Sequence, residues 1–320
     1  MSSINASNEN NKENEGAKPN PIIENIKSRY ILSKIYNNMT KIKKLVIVKY
    51  NKKIQNRLNL NVNDYKECCK IEIEIIPVKG KCKYGRFINI DENDKLYYHI
   101  YFNDNKEEIK NKYEINKIDE VTKIKIIIDY QVKSFENLFN DCKCIESINF
   151  KKFKRYNITN MKSMFSGSSL KELNLNNFNT NNVTNMSFMF YGCSSLKELK
   201  LNNFNTNNVT NMSFLFYGCS SLKELKLNNL NTNNVTNMRY MFYECSSLKE
   251  LKLNNFNTNN VTNMSFMFFG CSLLKELNLN NFNTNNVTDM SFMLWGCSDD
   301  LKRKIKSENK NIKDEAFWPC

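Results

Sequence analysis

Nucleophilic and acid–base chemistry draws mainly on histidine, cysteine and carboxylates, and this chain holds a single histidine. His99 sits beside Tyr97 and Tyr98 in a stretch that alternates like a β-strand. Ser-His-Asp and Cys-His chemistry needs a histidine seated against a nucleophile. One histidine among strand aromatics reads instead as an ordinary structural side chain. The phosphate-, dinucleotide- and zinc-protease motifs G-x-x-x-x-G-K, G-x-G-x-x-G and H-E-x-x-H are all missing. We therefore expect no enzyme: no catalytic residue, no cofactor and no metal.

The eleven cysteines are the next resource. Cys193, Cys219, Cys245, Cys271 and Cys297 recur every 26 residues. Stacked strands lie about 4.8 Å apart, which would bring such thiols close. Equivalent side chains in a ladder point in parallel, however, and that disfavours a disulfide. They read as small buried apolar groups. Cys68, Cys69, Cys82, Cys142 and Cys144 could offer four zinc ligands, but in a spacing that fits no finger or ribbon. The sequon Asn182-Val183-Thr184 also recurs. Threonine capping and asparagine turn bonds account for it without a sugar.

These residues belong to a 26-residue sentence written five times, starting at Leu170, Leu196, Leu222, Leu248 and Leu274. A fixed period in this range signals a stack of one-unit coils. In each unit L-K-E-L-N-L reads as a short strand, with Leu173 and Leu175 facing in and Glu172, Asn174 and Asn176 facing out. A polar corner follows, anchored inward by Phe178 alone. Thr184 then reads as a helix N-cap, with Phe188 at the staple position. Met186, Met189, Phe190 and Cys193 fall at i, i+3, i+4, i+7, one apolar face of a short helical or 3₁₀ run. A single unit buries about eight apolar side chains at roughly 1.5–3 kcal/mol each. That falls short of ordering 26 residues at roughly 1.5 kcal/mol each, so neighbours must complete the core.

Two rows of side chains are candidate binding surfaces. One is polar: Glu172, Glu198, Glu224, Glu250 and Glu276, with Lys200, Lys226 and Lys252 and the asparagines Asn202, Asn228 and Asn254. The other is aromatic: Phe188, Phe214, Tyr240, Phe266 and Phe292 beside Tyr191, Tyr217, Tyr243, Phe269 and Trp295. Ten outward rings exceed the apolar patch that an isolated soluble protein usually shows.

The L-x-x-L-x-L strand, the N-V-T-N-M-S-x-M-F segment and the G-C-S-S-L return resemble the BspA-like leucine-rich repeats, a 26-residue surface-protein repeat type. That resemblance implies an α/β solenoid with a parallel sheet, used for contacts with another protein and often found on a cell surface; the chirality of parallel crossovers would make it right-handed. The run Ile31-Leu32-Ser33-Lys34-Ile35-Tyr36-Asn37-Asn38-Met39 is similar to the core helix of an F-box. An F-box would make the chain the substrate receptor of a ubiquitin ligase, bound to a Skp-type adaptor. Ser28-Arg29 stand where the opening Leu-Pro of an F-box would be, and no tryptophan closes the motif.

The remaining organisation follows from composition. Residues 1–20 read as a disordered tail. Residues 21–66 read as helical, through Ile22, Ile26, Tyr30, Ile31 and Ile35, and after a Thr40 cap through Ile42, Leu45, Val46, Ile54 and Leu58. Over 67–131 the period drops to two, predicting a small antiparallel β-rich region that caps the first unit. The stack should run from 132 to 298, its first units degenerate, and a capping helix and tail should fill 299–320.

The formal net charge of +14 would steer the chain toward nucleic acid or an acidic membrane. Within the five units nine Lys and Arg face seven Asp and Glu, so the excess lies elsewhere. No face interleaves basic and aromatic residues, which argues against nucleic acid. No apolar run spans a bilayer, and the start has no apolar core of a secretory signal. We expect a cytoplasmic chain with reduced thiols, the cell surface being the alternative that the resemblance implies.

Overall fold

The computed structural model describes residues 28–37, 51–80, 84–153, 155 and 157–317, in two compact units, Met1–Cys68 and Cys69–Cys320. The expected tail over 1–20 and the helix positions Ile22, Ile26, Thr40, Ile42, Leu45 and Val46 lie outside the described residues. The first compact unit contains helices α1 (Arg29–Asn37), α2 (Lys52–Arg57) and α3 (Val62–Cys68). Ile54 does not sit on a helix continuing from Thr40. Asn51 interrupts the chain with a non-helical backbone, and its side chain accepts the Ile54 N–H at 3.0 Å. A new helix therefore starts there, since asparagine is among the strongest N-caps.

The second compact unit opens as an antiparallel sheet. Strands β1 (Ile71–Pro77), β3 (Tyr98–Phe102), β5 (Ile124–Ile128) and β6 (Ile145–Lys152) lie in the order β3-β5-β1-β6. Alternation buries Ile71, Ile73 and Ile75 against Ile124, Ile126 and Ile128. The short strands β2 (Gly85–Arg86) and β4 (Glu114–Ile115) pair separately. Beyond β6 the pairing changes direction. Strand β7 (Glu172–Asn174) joins β6 in parallel, Ile148 opposite Leu173. The same parallel register links β8 (Glu198–Lys200) to β9 (Glu224–Lys226) and β10 (Glu250–Leu251) to β11 (Glu276–Leu277). On another side of the units, parallel bridges run from Ser134 through Asn160, Asn185, Asn211, Asn237 and Asn263 to Asp289. Consecutive units therefore stack in parallel, each position above its own counterpart.

The segment over Met186–Cys193 is not a helix. Phe188 and Gly192 have left-handed backbones, with φ of 60° and 65°. Two such residues four apart prevent continuous i→i−4 bonding. The N–H groups of Phe188, Phe190 and Gly192 donate instead to Ser213, Leu215 and Tyr217 of the next unit, at 2.6–3.1 Å. Those of Met189, Tyr191 and Cys193 fold back onto residues three earlier. Half of each segment is thus turn and half is ladder. Nor does Thr184 act as an N-cap: its N–H and hydroxyl both donate to the Thr159 carbonyl of the preceding unit. Asn185 does the local capping, accepting the Ser187 N–H at 2.9 Å.

Inside, the leucine, valine, methionine, phenylalanine and cysteine rows are buried. Phe165, Phe190, Phe216, Phe242 and Phe268 form one column, with ring centroids 5.5–5.7 Å apart. The polar corner has a second inward residue besides phenylalanine. Thr180, Thr206, Thr232 and Thr258 are buried, and each hydroxyl donates to the carbonyl of an asparagine in the next unit at 2.7–2.8 Å. Each also accepts the N–H of that same asparagine. One side-chain atom satisfies both backbone groups of a neighbour.

Both ends of the stack are closed by hydrogen bonds that imitate a further unit. At the first, Asn89 donates its N–H to Leu138 and its amide to the Asn137 and Asn140 carbonyls. At the last, Ser298 caps helix α4 (Asp299–Glu308). The chain then returns so that Asn311, Glu315 and Ala316 accept from Thr284, Phe292 and Leu294. The apolar spacing of Leu301, Ile305 and Ile312, all of which are buried, does not by itself imply pairing through this short return.

Replacing Thr232 by valine keeps the volume and orphans the Asn257 N–H and C=O. We expect a loss of about 2 kcal/mol, while Thr232→Ser stays nearer the parent; urea unfolding of the three chains reads the difference.

Candidate functional site

The polar row lies on the outer face of the short strands, where each glutamate and lysine alternates with a buried leucine. Parallel register sets Glu198 beside Glu224, Lys200 beside Lys226 and Glu250 beside Glu276. The charges are balanced along the strand: Lys200 reaches Glu198 at 3.1 Å and Lys252 reaches Glu250 at 2.9 Å. Lys304 of α4 lies 3.7 Å from Glu276. All are more than 45% exposed, and such pairs contribute at most about 1 kcal/mol. Glu172, Asn202, Asn228 and Asn254 are exposed there too.

The asparagines that hold units together are the ones a position further on. Asn203 donates to the Asn176 carbonyl, Asn229 to Asn202 at 2.6 Å, and Asn281 to Leu253, Asn254 and Phe256. The sequon asparagines serve in the same way: Asn208, Asn234, Asn260 and Asn286 donate to carbonyls of the preceding unit at 2.6–2.8 Å. In the sequence all these asparagines look alike, as corner residues. The signal that separates them is which ones recur beside an inward phenylalanine or valine.

The aromatic row forms two adjacent columns. Phe188, Phe214, Tyr240, Phe266 and Phe292 stack with centroids 4.4–5.0 Å apart and planes within 14°. Tyr191, Tyr217, Tyr243 and Phe269 stack at 4.4–4.7 Å. Trp295 leaves the pattern, standing edge-on to Phe292 at 6.4 Å. The rings of the two columns lie 5.3–5.8 Å apart within a unit. All except Trp295 are half-buried. Stacking covers their faces, so the stripe presents ring edges and tyrosine hydroxyls outward. Burial, with the Tyr243 and Tyr191 hydroxyls alongside, pushes Tyr217 up to about 12.

This stripe stands on strained backbone. Phe188, Phe214, Tyr240, Phe266 and Phe292 all have φ between 56° and 60°, where a side chain with a Cβ costs roughly 1–2 kcal/mol. The earlier units use Asn137 and Ser163 at that slot, and Asn tolerates it better. Ring stacking at about 0.5–1.5 kcal/mol per neighbour offsets the strain. The third unit departs furthest from its copies. Arg239 replaces a serine, Tyr240 a phenylalanine, and Glu244 a glycine. Glu244 keeps the left-handed φ of 53° that Gly192, Gly218, Gly270 and Gly296 adopt elsewhere. Arg239 lies over the Tyr240 ring at 4.7 Å. Both charges are exposed, and neither forms an ion pair among the described residues.

The thiol row does something different. Cys193, Cys219, Cys245, Cys271 and Cys297 donate S–H to carbonyls of Phe165, Phe190, Phe216, Phe242 and Phe268 at 3.1–3.2 Å. Desolvation pushes Cys193 and Cys297 up to about 12. Cys142 and Cys144 are buried, and Cys144 donates to the Arg86 carbonyl at 3.1 Å. Cys82 lies outside the described residues. His99 is held between two carboxylates, Asp129 at Nε2 and Glu108 at Nδ1, each 3.2 Å away. In the first compact unit α1 leaves Tyr30, Ile31 and Ile35 exposed and buries Tyr36.

Parallel stacking of near-identical 26-residue units makes this a repeat protein. The family described as Mycoplasma protein of unknown function, DUF285, matches residues 133–225 and 220–315, more than half of the chain, and the chain belongs to it. No curated protein and no solved structure matches. No helix among the described residues is long and apolar enough to cross a membrane.

Two outcomes follow. Glu244→Gly restores the residue suited to the left-handed slot and should raise stability by about 1 kcal/mol in urea unfolding. The unit thiols should be silent to a thiol reagent in the folded chain. Their folded pKa lies above the unfolded value, so unfolded chains lose protons first as pH rises above about 9. The urea midpoint should therefore fall between pH 9 and 11, and the thiols should contribute no pH dependence below that.

Proposed function

We propose that the chain is a non-enzymatic scaffold for protein–protein contacts. In this reading it is a BspA-like leucine-rich-repeat solenoid, right-handed as parallel crossovers generally are. The observation that carries it is the aromatic stripe: two columns of half-buried rings, kept in place on backbone that a glycine or asparagine would occupy more cheaply. Strain held at the same slot in five units points to a role for the rings beyond filling space. The polar row supports the reading less, since its charges pair with one another in water. We place the protein in a reducing, cytoplasmic setting, supported by seven buried cysteines, Cys142, Cys144 and the five of the unit row, that are free thiols.

A photoreactive phenylalanine analogue at Tyr217, irradiated in native lysate, should give protein adducts of discrete mass. The same probe at Glu224, on the polar row, should give none. Adducts from Glu224 with silence at Tyr217 would overturn the assignment of the face, and silence at both would overturn the scaffold.

A further inference from the structure

The aromatic stripe has a middle, and the middle is chemically marked. Five ring pairs place Tyr240 and Tyr243 third of five in their columns. Arg239 and Glu244 bracket that pair along the chain, opposite in sign, exposed and in no ion pair among the described residues. Every other charged residue of the clean units except Asp289 lies on or beside the strand segments, away from the stripe. Glu244 also occupies a left-handed position at φ 53°, where the four sister units hold glycine. A charge kept where it is conformationally costly, in one copy of five and at the midpoint, needs a reason that folding does not supply.

We propose that the stripe is the contact face of a symmetric dimer, with a second copy of this chain as its occupant. The proposal rests on the scaffold reading and names its partner. A two-fold axis lying in the stripe, along the stacking direction and between the Tyr240 and Tyr243 columns, keeps the order of the units and reverses the direction of the chain across the stripe. Each Arg239 then lies toward the Glu244 of the other copy, giving two equivalent ion pairs around a ring cluster at the axis. This is the self-complementarity that an isologous interface requires. Spacing supports the same partner. The ring edges recur at 4.4–5.0 Å over four steps, and a surface with that period along the full stripe is another stack of parallel units. The remaining pairs then meet in register, Phe188 and Tyr191 of one copy toward Tyr191 and Phe188 of the other.

Sedimentation velocity and light scattering on the full chain, over a range of concentrations, test this. The parent chain should pass from monomer to dimer as concentration rises. Arg239→Glu, which sets like charges across the axis, should weaken association about tenfold or more. The double charge swap R239E/E244R, which keeps opposite charges facing, should return to within about threefold of the parent. Glu244→Gly separates an interface from a purely structural role, because it should raise the thermal midpoint while weakening association. A parent that stays monomeric at about 100 µM, or a Glu244→Gly chain that dimerises like the parent, overturns the proposal. If the parent is monomeric and the Tyr217 photoprobe still yields adducts with other proteins, the scaffold reading stands and only its partner is wrong. If adducts and dimer are both lacking, both fall.

Discussion

A backbone that turns left-handed twice within five residues cannot close its hydrogen bonds on itself. Around Phe188 and Gly192 three N–H groups point along the stacking axis, and only another unit of the same shape can receive them. The buried threonine hydroxyls impose the same demand from the opposite corner, because each serves both the N–H and the carbonyl of one neighbouring asparagine. Leaving such groups dry and unpaired would cost more than most single apolar contacts return. The polar backbone therefore fixes the register, and the leucine, methionine and phenylalanine rows fill the space that this register defines.

Register has a chemical consequence. Because each position sits above its counterpart, any residue type chosen once per unit becomes a row. Rows of glutamate beside glutamate are tolerated where water screens them and lysines intervene. Thiol rows are tolerated because each S–H points to a carbonyl of the preceding unit and not to the next sulfur. Aromatic rows are favourable in themselves, since the rings stack at 4.4–5.0 Å. The stripe is the row in which stacking and local strain oppose each other.

Much of this could be read in advance from particular residues. Leu173 and Leu175 alternate with polar neighbours as a strand does, and Glu172–Asn174 is one. The spacing of Met186, Met189, Phe190 and Cys193 pointed to a helix. It misled because both a helix and a stack of tight turns bring every third or fourth residue inward. The aromatic at the first left-handed slot concealed the turn, as no propensity scale places phenylalanine there; Asn137 and Ser163 in the degenerate units were the better indicators. Thr180 is not legible as a core residue, because a threonine between asparagines looks like solvent-facing polarity. Its burial depends on a carbonyl from the next unit, which no single unit contains. The division of asparagines into outward and bridging sets was hidden for the same reason.

The two end closures address backbone groups that every unit offers alike: Asn89 binds carbonyls of one terminal unit, and the return after Ser307 binds donors of the other. Neither reads a side chain peculiar to its unit's place in the series. Loss or duplication of one whole 78-nucleotide stretch would hence leave both plugs fitting, and the gene can lengthen or shorten by slippage without redesigning its termini. What slippage does change is extent. A chain of four or six such units would present a shorter or longer run of the same rows, so the length of this molecule would be a heritable setting of how much of that surface it shows.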